Sequence, residues 1–160
     1  MSIVGIDLSV HAIDVVHLSE DDDTAFWTRY PLAATDSFLA ARNVRDALPG
    51  RSEWRDTGVI AFAVEKPFSR SYKAVSALMR VQGAIVACLP PELLVCELAP
   101  TEWKTATVGQ GNAGKGDVAA WVFRRYTEAF VEDWPQDGLD AYAIAWALRA
   151  LVERGEAEAA

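Results

Sequence analysis

The stretch IVGIDLS, residues 3–9, sets one carboxylate, Asp7, inside a run of apolar residues. A short apolar run that is rich in β-branched residues predicts a buried β-strand. A buried charge without a partner strongly destabilises a fold. Asp7 therefore needs a partner, unless it only caps a turn through Leu8 and Ser9.

The segments around this stretch also have strand and helix patterns. Strands are predicted at residues 3–8, 13–18, 25–30, 59–64 and 94–98, with the acidic run 20–23 as the turn between the second and third. Helices are predicted at residues 37–47, 71–89, 115–128 and 137–153, with a short one opened by Pro100. Thr35 and Asp36 are candidate caps of the first helix, and Pro49 and Gly50 end it. The order predicts an α/β fold: a mixed five-stranded sheet, with three antiparallel meander strands plus two further strands, and helices on both faces.

Length and composition predict one domain. The 160 residues, 51% of them hydrophobic, can build one sizeable core. We expect a single domain at residues 1–153 and a disordered acidic tail at 154–160. The longest apolar stretch, residues 74–94, contains Arg80, Gln82 and two prolines, which is not typical of a membrane span. Without a signal-peptide pattern, a soluble cytoplasmic protein with no membrane partner is expected, and Cys88 and Cys96 are expected to be reduced, buried thiols.

The net charge of -8 argues against a nucleic-acid partner, since lysine and arginine supply most affinity for phosphates. The distribution of charge reverses this impression. Residues 66–91 contain four basic residues and no acidic one, and residues 103–125 contain four basic residues against Asp117. Much of the acid lies instead in the run 20–23 and near the C-terminal end. The whole-chain charge therefore decides little.

Three further carboxylates share the context of Asp7. Glu65 closes the apolar run of residues 60–64, at a strand end where ligands often bind. Asp137 and Asp140 stand three residues apart at the start of the last helix, so both project from one face. The same face continues with apolar Ile144, so packing of the helix would turn both aspartates toward the sheet.

Four converging carboxylates would repel one another unless cations neutralise them. Mg²⁺ or Mn²⁺ suits an all-oxygen shell, and two such ions support phosphodiester hydrolysis. Each acid also has an ordinary explanation: Asp137 has the position of a helix cap or first-turn acid, and Glu65 could pair with Lys66. The combination of all four is much rarer than any single one.

The sequence resembles the RuvC family of Holliday junction resolvases, which are ribonuclease H-like nucleases. The similarity runs over residues 3–148 and rests on IVGIDLS at 3–9, AVEKPF at 63–68, APTEWK at 99–104, GQGNAGK at 109–115 and DGLDA at 137–141. The order and spacing of these motifs agree with the family throughout. The resemblance implies a crossover junction endodeoxyribonuclease that uses two Mg²⁺ ions per site, with Mn²⁺ able to substitute, on branched DNA such as junctions, forks and flaps.

The resemblance also implies roles for individual residues. The proposed metal ligands are Asp7, Glu65, Asp137 and Asp140. Lys115 would lie beside the scissile phosphate and Lys104 would support the site or contact DNA, while Phe68 would stack on a base near the crossover. Alternatives without the resemblance are a solvated lysine at 115 and a core phenylalanine at 68.

Other residues are placed by their surroundings alone. Arg70 and Lys73 are expected to contact the DNA backbone. His11 and His17 are left out of the metal site. The tryptophans at 103, 121, 134 and 146 are expected in the core or an interface, and among them only Trp134, before Pro135, is a candidate for exposure.

Two other functions fit parts of the pattern. The motif at residues 5–9 also resembles the first phosphate motif of actin-like and sugar-kinase-like ATPases, although 160 residues leave room for one lobe only. A noncatalytic relative that binds branched DNA would keep the fold but lose acids, and all four acids are present.

The helix at residues 71–89 carries more apolar surface than one sheet contact needs. At about 100° per residue its apolar residues cover about 220° of the helix surface. A second helix of the same chain, such as 115–128, could cover the excess. A two-fold homodimer could also cover it and would place two sites symmetrically, as paired nicking of a junction requires. The family resemblance favours the dimer.

Overall fold

A computed structural model describes residues 2–19, 24–69, 71–126 and 131–157. The predicted turn at 20–23, the candidate DNA contact Arg70 and the last residues of the predicted tail lie outside these ranges. The predictions for them stay predictions.

The core of the fold is a mixed five-stranded sheet in the order β3-β2-β1-β4-β5. The first three strands form an antiparallel meander, and β4 and β5 run parallel to β1. This confirms the predicted fold class. The strands are β1 Ser2–Leu8, β2 Ala12–Leu18, β3 Ala25–Pro31, β4 Val59–Glu65 and β5 Leu94–Leu98.

Within the described ranges, six α-helices cover both faces of the sheet. They are α1 Ser37–Ala47, α2 Arg51–Asp56, α3 Tyr72–Cys88, α4 Pro100–Val108, α5 Lys115–Arg125 and α6 Gln136–Arg154. One core packs α4, α5 and α6 against alternate residues of the strands, including Ile3, Val16 and Ala63. The other packs α1, α2 and α3 against the opposite residues, including Val4, Ile6 and Phe62. Both faces are therefore buried, as the apolar strands require.

The helix predictions differ from the structure in two places. The α2 helix was not predicted, because Pro49 and Gly50 look like the end of one helix rather than the start of the next. The predicted helix 115–128 ends at Arg125, where Tyr126 is the cap and lies buried in the first core. Asp36 is the N-cap of α1 and accepts hydrogen bonds from two backbone N–H groups, as predicted.

The α6 helix lies directly on β1 at Gly5. A Cβ atom at Gly5 would come within 2.1 Å of the Ala141 carbonyl oxygen and 2.5 Å of the Ala145 backbone nitrogen. No side chain fits in that space. Glycine at this position therefore sets how closely α6 approaches the strand that carries Asp7.

Several smaller predictions can be compared with the structure. Trp134 is partly buried and packs against Trp27, Tyr126 and Tyr142, which agrees with a place in the core rather than with the alternative of exposure. Cys96 is buried and Cys88 is partly buried, and both are free thiols. Among the residues described, no helix is both long and apolar enough to cross a membrane.

Candidate active site

Asp7 and Glu65 lie side by side at the carboxyl ends of two neighbouring strands. Ile6 of β1 is paired with Val64 of parallel β4, so the next residue of each strand is an acid. Both acids follow the alternation that points Ile3 and Ala63 into the α6 core. The sheet therefore presents two carboxylates to the start of α6.

The first turns of α6 bring Asp137 and Asp140 to the same end of the sheet. Gly138 and Leu139 between them are buried, and the aspartates themselves are partly exposed. The Trp27 indole lies against Gly138, where a Cβ atom would come within 2.9 Å of its Nε1 atom. The indole therefore packs directly on the helix backbone between the two acids.

The pKa directions show that these carboxylates interact. Burial raises the pKa of Asp7 well above its ordinary value, and repulsion by Glu65, Asp140 and Asp137 raises it further. Burial and then Asp140 raise the pKa of Glu65 to about 7, against the opposing effect of Lys104. Mutual repulsion of this kind is typical of carboxylates that share a site.

Two lysines add positive charge beside Asp140. Burial raises the pKa of Asp140, whereas a hydrogen bond from Gln136 and the charges of Lys104 and Lys115 lower it. Lys104 also stands over the Trp103 ring, 5.3 Å from its centroid. Lys115 is exposed at the first residue of α5, where helix N-terminal N–H groups favour anions. Both predicted functional lysines thus act electrostatically on the acidic cluster.

A fifth acid, Asp14 on β2, was not predicted. It is paired with Asp7 across the antiparallel strands and is only 2% exposed. The Trp27 Nε1 atom donates a hydrogen bond of 2.8 Å to its Oδ1 atom, and Arg29 lies 3.5 Å from its Oδ2 atom. Its setting in the apolar run AIDVVHL, residues 12–18, is the same kind of signal that singles out Asp7, and both faces of this sheet are covered.

Asp137 and Asp140 already have protein partners. Arg29 donates a 3.1 Å hydrogen bond to Asp137, and Gln136 donates one of 2.8 Å to Asp140. As the side chains stand, no three histidine, cysteine or acidic side chains in the described ranges form a group that could enclose a metal ion. The carboxylates face one region of the molecule without being gathered around a single point.

Phe68 lies beside the acids on the loop after β4. It is 78% exposed, so the alternative of a core phenylalanine is wrong. A small cleft of about 70 Å³ is lined by Asp7, Glu65 and Phe68, among others. Lys73 is exposed near the start of α3. The ring is therefore free to contact a flat ligand next to the carboxylates.

The donor set suits a hard divalent cation. Asp7, Glu65, Asp137 and Asp140 offer only carboxylate oxygens, the ligands that Mg²⁺ and Mn²⁺ prefer. Asp14 and Val16 of β2 face α6, so His17, which follows Val16, points to the opposite face of the sheet. His11 is exposed. Leaving the histidines out of the site is consistent with their positions.

Comparison with known proteins identifies the fold. No protein-family model and no curated protein matches the sequence. The structure is similar to that of RuvC from Thermus thermophilus, with a TM-score of 0.80, 20% identity and 100% of both chains covered. A T. thermophilus RuvC structure in complex with a Holliday junction substrate gives a TM-score of 0.82 at 20% identity, covering 100% of this chain and 99% of that one. At this identity the likeness shows the architecture, and the chain therefore has the RuvC fold, a ribonuclease H-like sheet covered by helices on both faces.

Proposed function

We propose that this chain is a metal-dependent endodeoxyribonuclease that resolves Holliday junctions and related branched DNA. One observation carries the proposal: on a RuvC fold, acids from β1, β4 and α6 meet at one end of the sheet and perturb one another's pKa values. The similar T. thermophilus RuvC was solved with a Holliday junction substrate. We place its action in the cytoplasm of a bacterium or of a phage-infected host.

The proposed metal ligands are Asp7, Glu65, Asp137 and Asp140. Two Mg²⁺ ions, or Mn²⁺ in their place, would match the formal charge of four carboxylates and would supply an activated water and leaving-group stabilisation when bound. The carboxylates' own task is to hold this charge at the end of the sheet. They must be deprotonated to do so, which the raised pKa values of Asp7, Glu65 and Asp140 oppose until cations arrive.

The basic and aromatic residues around the acids would bind the DNA. Lys115 at the start of α5 would contact the scissile phosphate, and Lys104 would support the site from α4. Phe68 would stack on a base near the crossover, since its ring is exposed beside Asp7 and Glu65. Lys73 and Arg70 would contact backbone phosphates.

We also propose that the enzyme is a homodimer built on α3. Val81, Gln82 and Ile85 of this helix are buried against the sheet side, and α1 rather than α5 is the same-chain helix that packs beside it. The exposed residues Tyr72, Met79 and Val86 recur every seven positions and form one stripe along the helix. A second α3 packed along this stripe would bury it.

The decisive experiment is cleavage of labelled substrates. Four-way junction, flap and linear duplex of matched sequence are incubated with the protein and Mg²⁺, and the cuts are mapped at nucleotide resolution. We expect paired, symmetric nicks in the junction and little cutting of the linear duplex. Binding of the junction without cleavage in either Mg²⁺ or Mn²⁺ would support the noncatalytic alternative instead.

A further inference from the structure

Arg29 is the one cation that touches the acidic site from the edge strand β3. Its guanidinium lies 3.1 Å from an oxygen of Asp137 and 3.5 Å from an oxygen of Asp14. The two carboxylates come from α6 and β2, so the arginine joins the helix to the sheet. This contact involves a proposed metal ligand, yet Arg29 belongs to none of the motifs that suggested the site.

The carboxylate of Asp14, which holds Arg29 in place, has little freedom to move. Asp14 is buried and also accepts the Trp27 indole N–H. Trp27 in turn lies against Gly138, next to Asp137. A buried carboxylate with two partners keeps its position, and it holds the guanidinium where the start of α6 meets the sheet.

We propose that Arg29, anchored on Asp14, is the resident cation of the acidic site: it pairs with Asp137 when no metal is bound and competes with the metal for that carboxylate. This inference rests on the proposed metal-dependent function. It accounts for the position of the Asp137 carboxylate, which is paired with Arg29 rather than turned to the other acids.

Two effects of removing Arg29 oppose each other. Without the Arg29 contact, the Asp137 side chain would be free to move. Metal binding would then have to immobilise that side chain, and the lost conformational entropy would weaken metal affinity by roughly threefold. Loss of a positive charge a few ångströms from a divalent ion would strengthen binding by roughly tenfold or more in a partly hydrated site. The effect of the lost positive charge is larger than that of the freed side chain, so a variant without Arg29 should bind metal more tightly than the wild type. A purely positioning role for Arg29 predicts the opposite sign.

The test measures Mn²⁺ affinity directly, by calorimetry and by electron paramagnetic resonance of free Mn²⁺, in the absence of DNA. Arg29→Gln should bind Mn²⁺ about three- to tenfold more tightly than the wild type. Arg29→Lys keeps the charge and should stay within about twofold. Arg29→Gln should also melt at a lower temperature without metal, because Asp14 loses a partner, and should gain more in melting temperature on addition of Mn²⁺.

Two control variants separate this effect from general charge. Lys66→Gln removes a positive charge near Glu65 that has no ion pair within the described ranges, and Arg154→Gln breaks an exposed ion pair at the far end of α6. Neither should tighten Mn²⁺ binding by more than about twofold. An equal gain in Lys66→Gln, or unchanged or weaker binding in Arg29→Gln, would overturn the proposal.

The experiment also distinguishes failure of the inference from failure of the proposed function. Asp137→Asn must weaken Mn²⁺ binding if Asp137 is a ligand. If the wild type binds no Mn²⁺, the metal centre and the role of Arg29 both fall. If the wild type binds Mn²⁺ and Asp137→Asn weakens it, while Arg29→Gln has no effect, only the role of Arg29 is wrong.

Discussion

The carboxylates of Asp7 and Asp140 reach the site from different elements, a strand and a helix, so each tests the site independently. We expect Asp7→Asn and Asp140→Asn each to lower junction cleavage by about a hundred- to a thousandfold, as removal of one group that stabilises transition-state charge does. Junction binding should be unchanged or tighter, because each change removes a negative charge from a surface that meets phosphates. Single-turnover cleavage and gel-shift titration measure the two effects separately.

Asp56→Asn is the matched control for these variants. Asp56 is exposed at the end of α2, on the face of the sheet opposite α6. Cleavage by this variant should equal that of the wild type. Near-normal cleavage by Asp7→Asn at saturating Mg²⁺ would remove that residue from the metal site.

The exposed ring of Phe68 should matter for DNA but not for folding. Phe68→Ala should reduce junction cleavage while changing the free energy of unfolding by less than about 0.5 kcal/mol, as is usual for surface residues. Mn²⁺ affinity should be unchanged. Phe38→Ala is a suitable comparison, since Phe38 is similarly exposed on α1 and lies under Arg80. Equal activity of the wild type and Phe68→Ala would argue against stacking.

The raised pKa of Glu65 gives the metal-free protein a definite pH dependence. The pKa of Glu65 is 4.5 in the unfolded chain and about 7 in the folded protein. Between pH 4.5 and about 7, the folded state therefore keeps a proton that the unfolded state has released. Its stabilising contribution, on the order of 3 kcal/mol, is complete below pH about 4.5 and is lost as the pH rises through about 7. Metal binding, which needs the carboxylate, should strengthen over the same interval.

Urea titrations in a chelator, at a series of pH values, measure this dependence. Burial lowers the pKa of His17, which changes stability in the opposite direction over part of the range. The comparison is therefore with Glu65→Gln, whose stability should fall less than that of the wild type between pH 5 and about 7.5. Parallel curves for the two proteins would mean that Glu65 titrates normally.

Single residues also show how far the sequence predicts a site. Asp7, Glu65, Asp137 and Asp140 could be singled out because a charge in an apolar strand, or two acids at helical spacing, departs from an ordinary pattern. Asp14 stands in the apolar strand AIDVVHL in the same way as Asp7 in IVGIDLS, so the same signal could have found it. Arg29 could not be singled out, since a base between Thr28 and Tyr30 is typical of a solvated strand face. Only the three-dimensional pairing of β2, β3 and α6 shows that this face is covered.

At the level of elements, the contact between α6 and β1 depends on Gly5. Gly5→Ala would force the helix away from the strand, because backbone atoms of Ala141 and Ala145 occupy the space of the new methyl group. We expect a loss of about 3 kcal/mol or more in the free energy of unfolding, the upper range for overpacking. Cleavage should fall as well, since the distance between Asp7 and Asp140 would change.

Gly116→Ala is the control for this change. Gly116 lies in α5 with no atom near its Cβ position, so alanine there should stabilise the helix by up to about 1 kcal/mol. Equilibrium unfolding in denaturant measures both variants. A Gly5→Ala protein as stable as the wild type would show that α6 can shift without cost.

The elements themselves were predictable to different degrees. All five strands agree with prediction to within one residue at either end, because their alternation or continuous apolar character is strong. The α2 helix was missed because only one of its residues, Trp54, is buried, which leaves no amphipathic period to detect. Its start could have been noticed from Glu53, whose side chain accepts from the Gly50 N–H.

For the whole molecule, the stripe on α3 predicts a dimer of about twice the 17.5 kDa chain mass. Met79 lies in the middle of the stripe and is 58% exposed in the single chain. Met79→Glu should therefore give a folded monomer, because a charge there disturbs only the contact between two copies. Light scattering at micromolar concentration measures the mass, and circular dichroism verifies the fold.

Phe123→Glu is the control for dimerisation. Phe123 is exposed on α5, on the opposite side of the sheet, and its replacement should leave the mass unchanged. In cleavage assays the Met79→Glu monomer should lose the pairing of nicks on opposite strands. A wild-type protein that is monomeric and still makes paired symmetric nicks would refute the dimer.

The positions of the acids along the chain have a consequence for biosynthesis. Asp7 and Glu65 are translated before Asp137 and Asp140, which lie on α6, the helix that also covers the face of β1 on which Gly5 lies. A nascent or truncated chain that lacks α6 has two of the four proposed metal ligands, and α6 does not cover the apolar face of its sheet. The proposed metal site is therefore complete only once α6 is present and packed on β1.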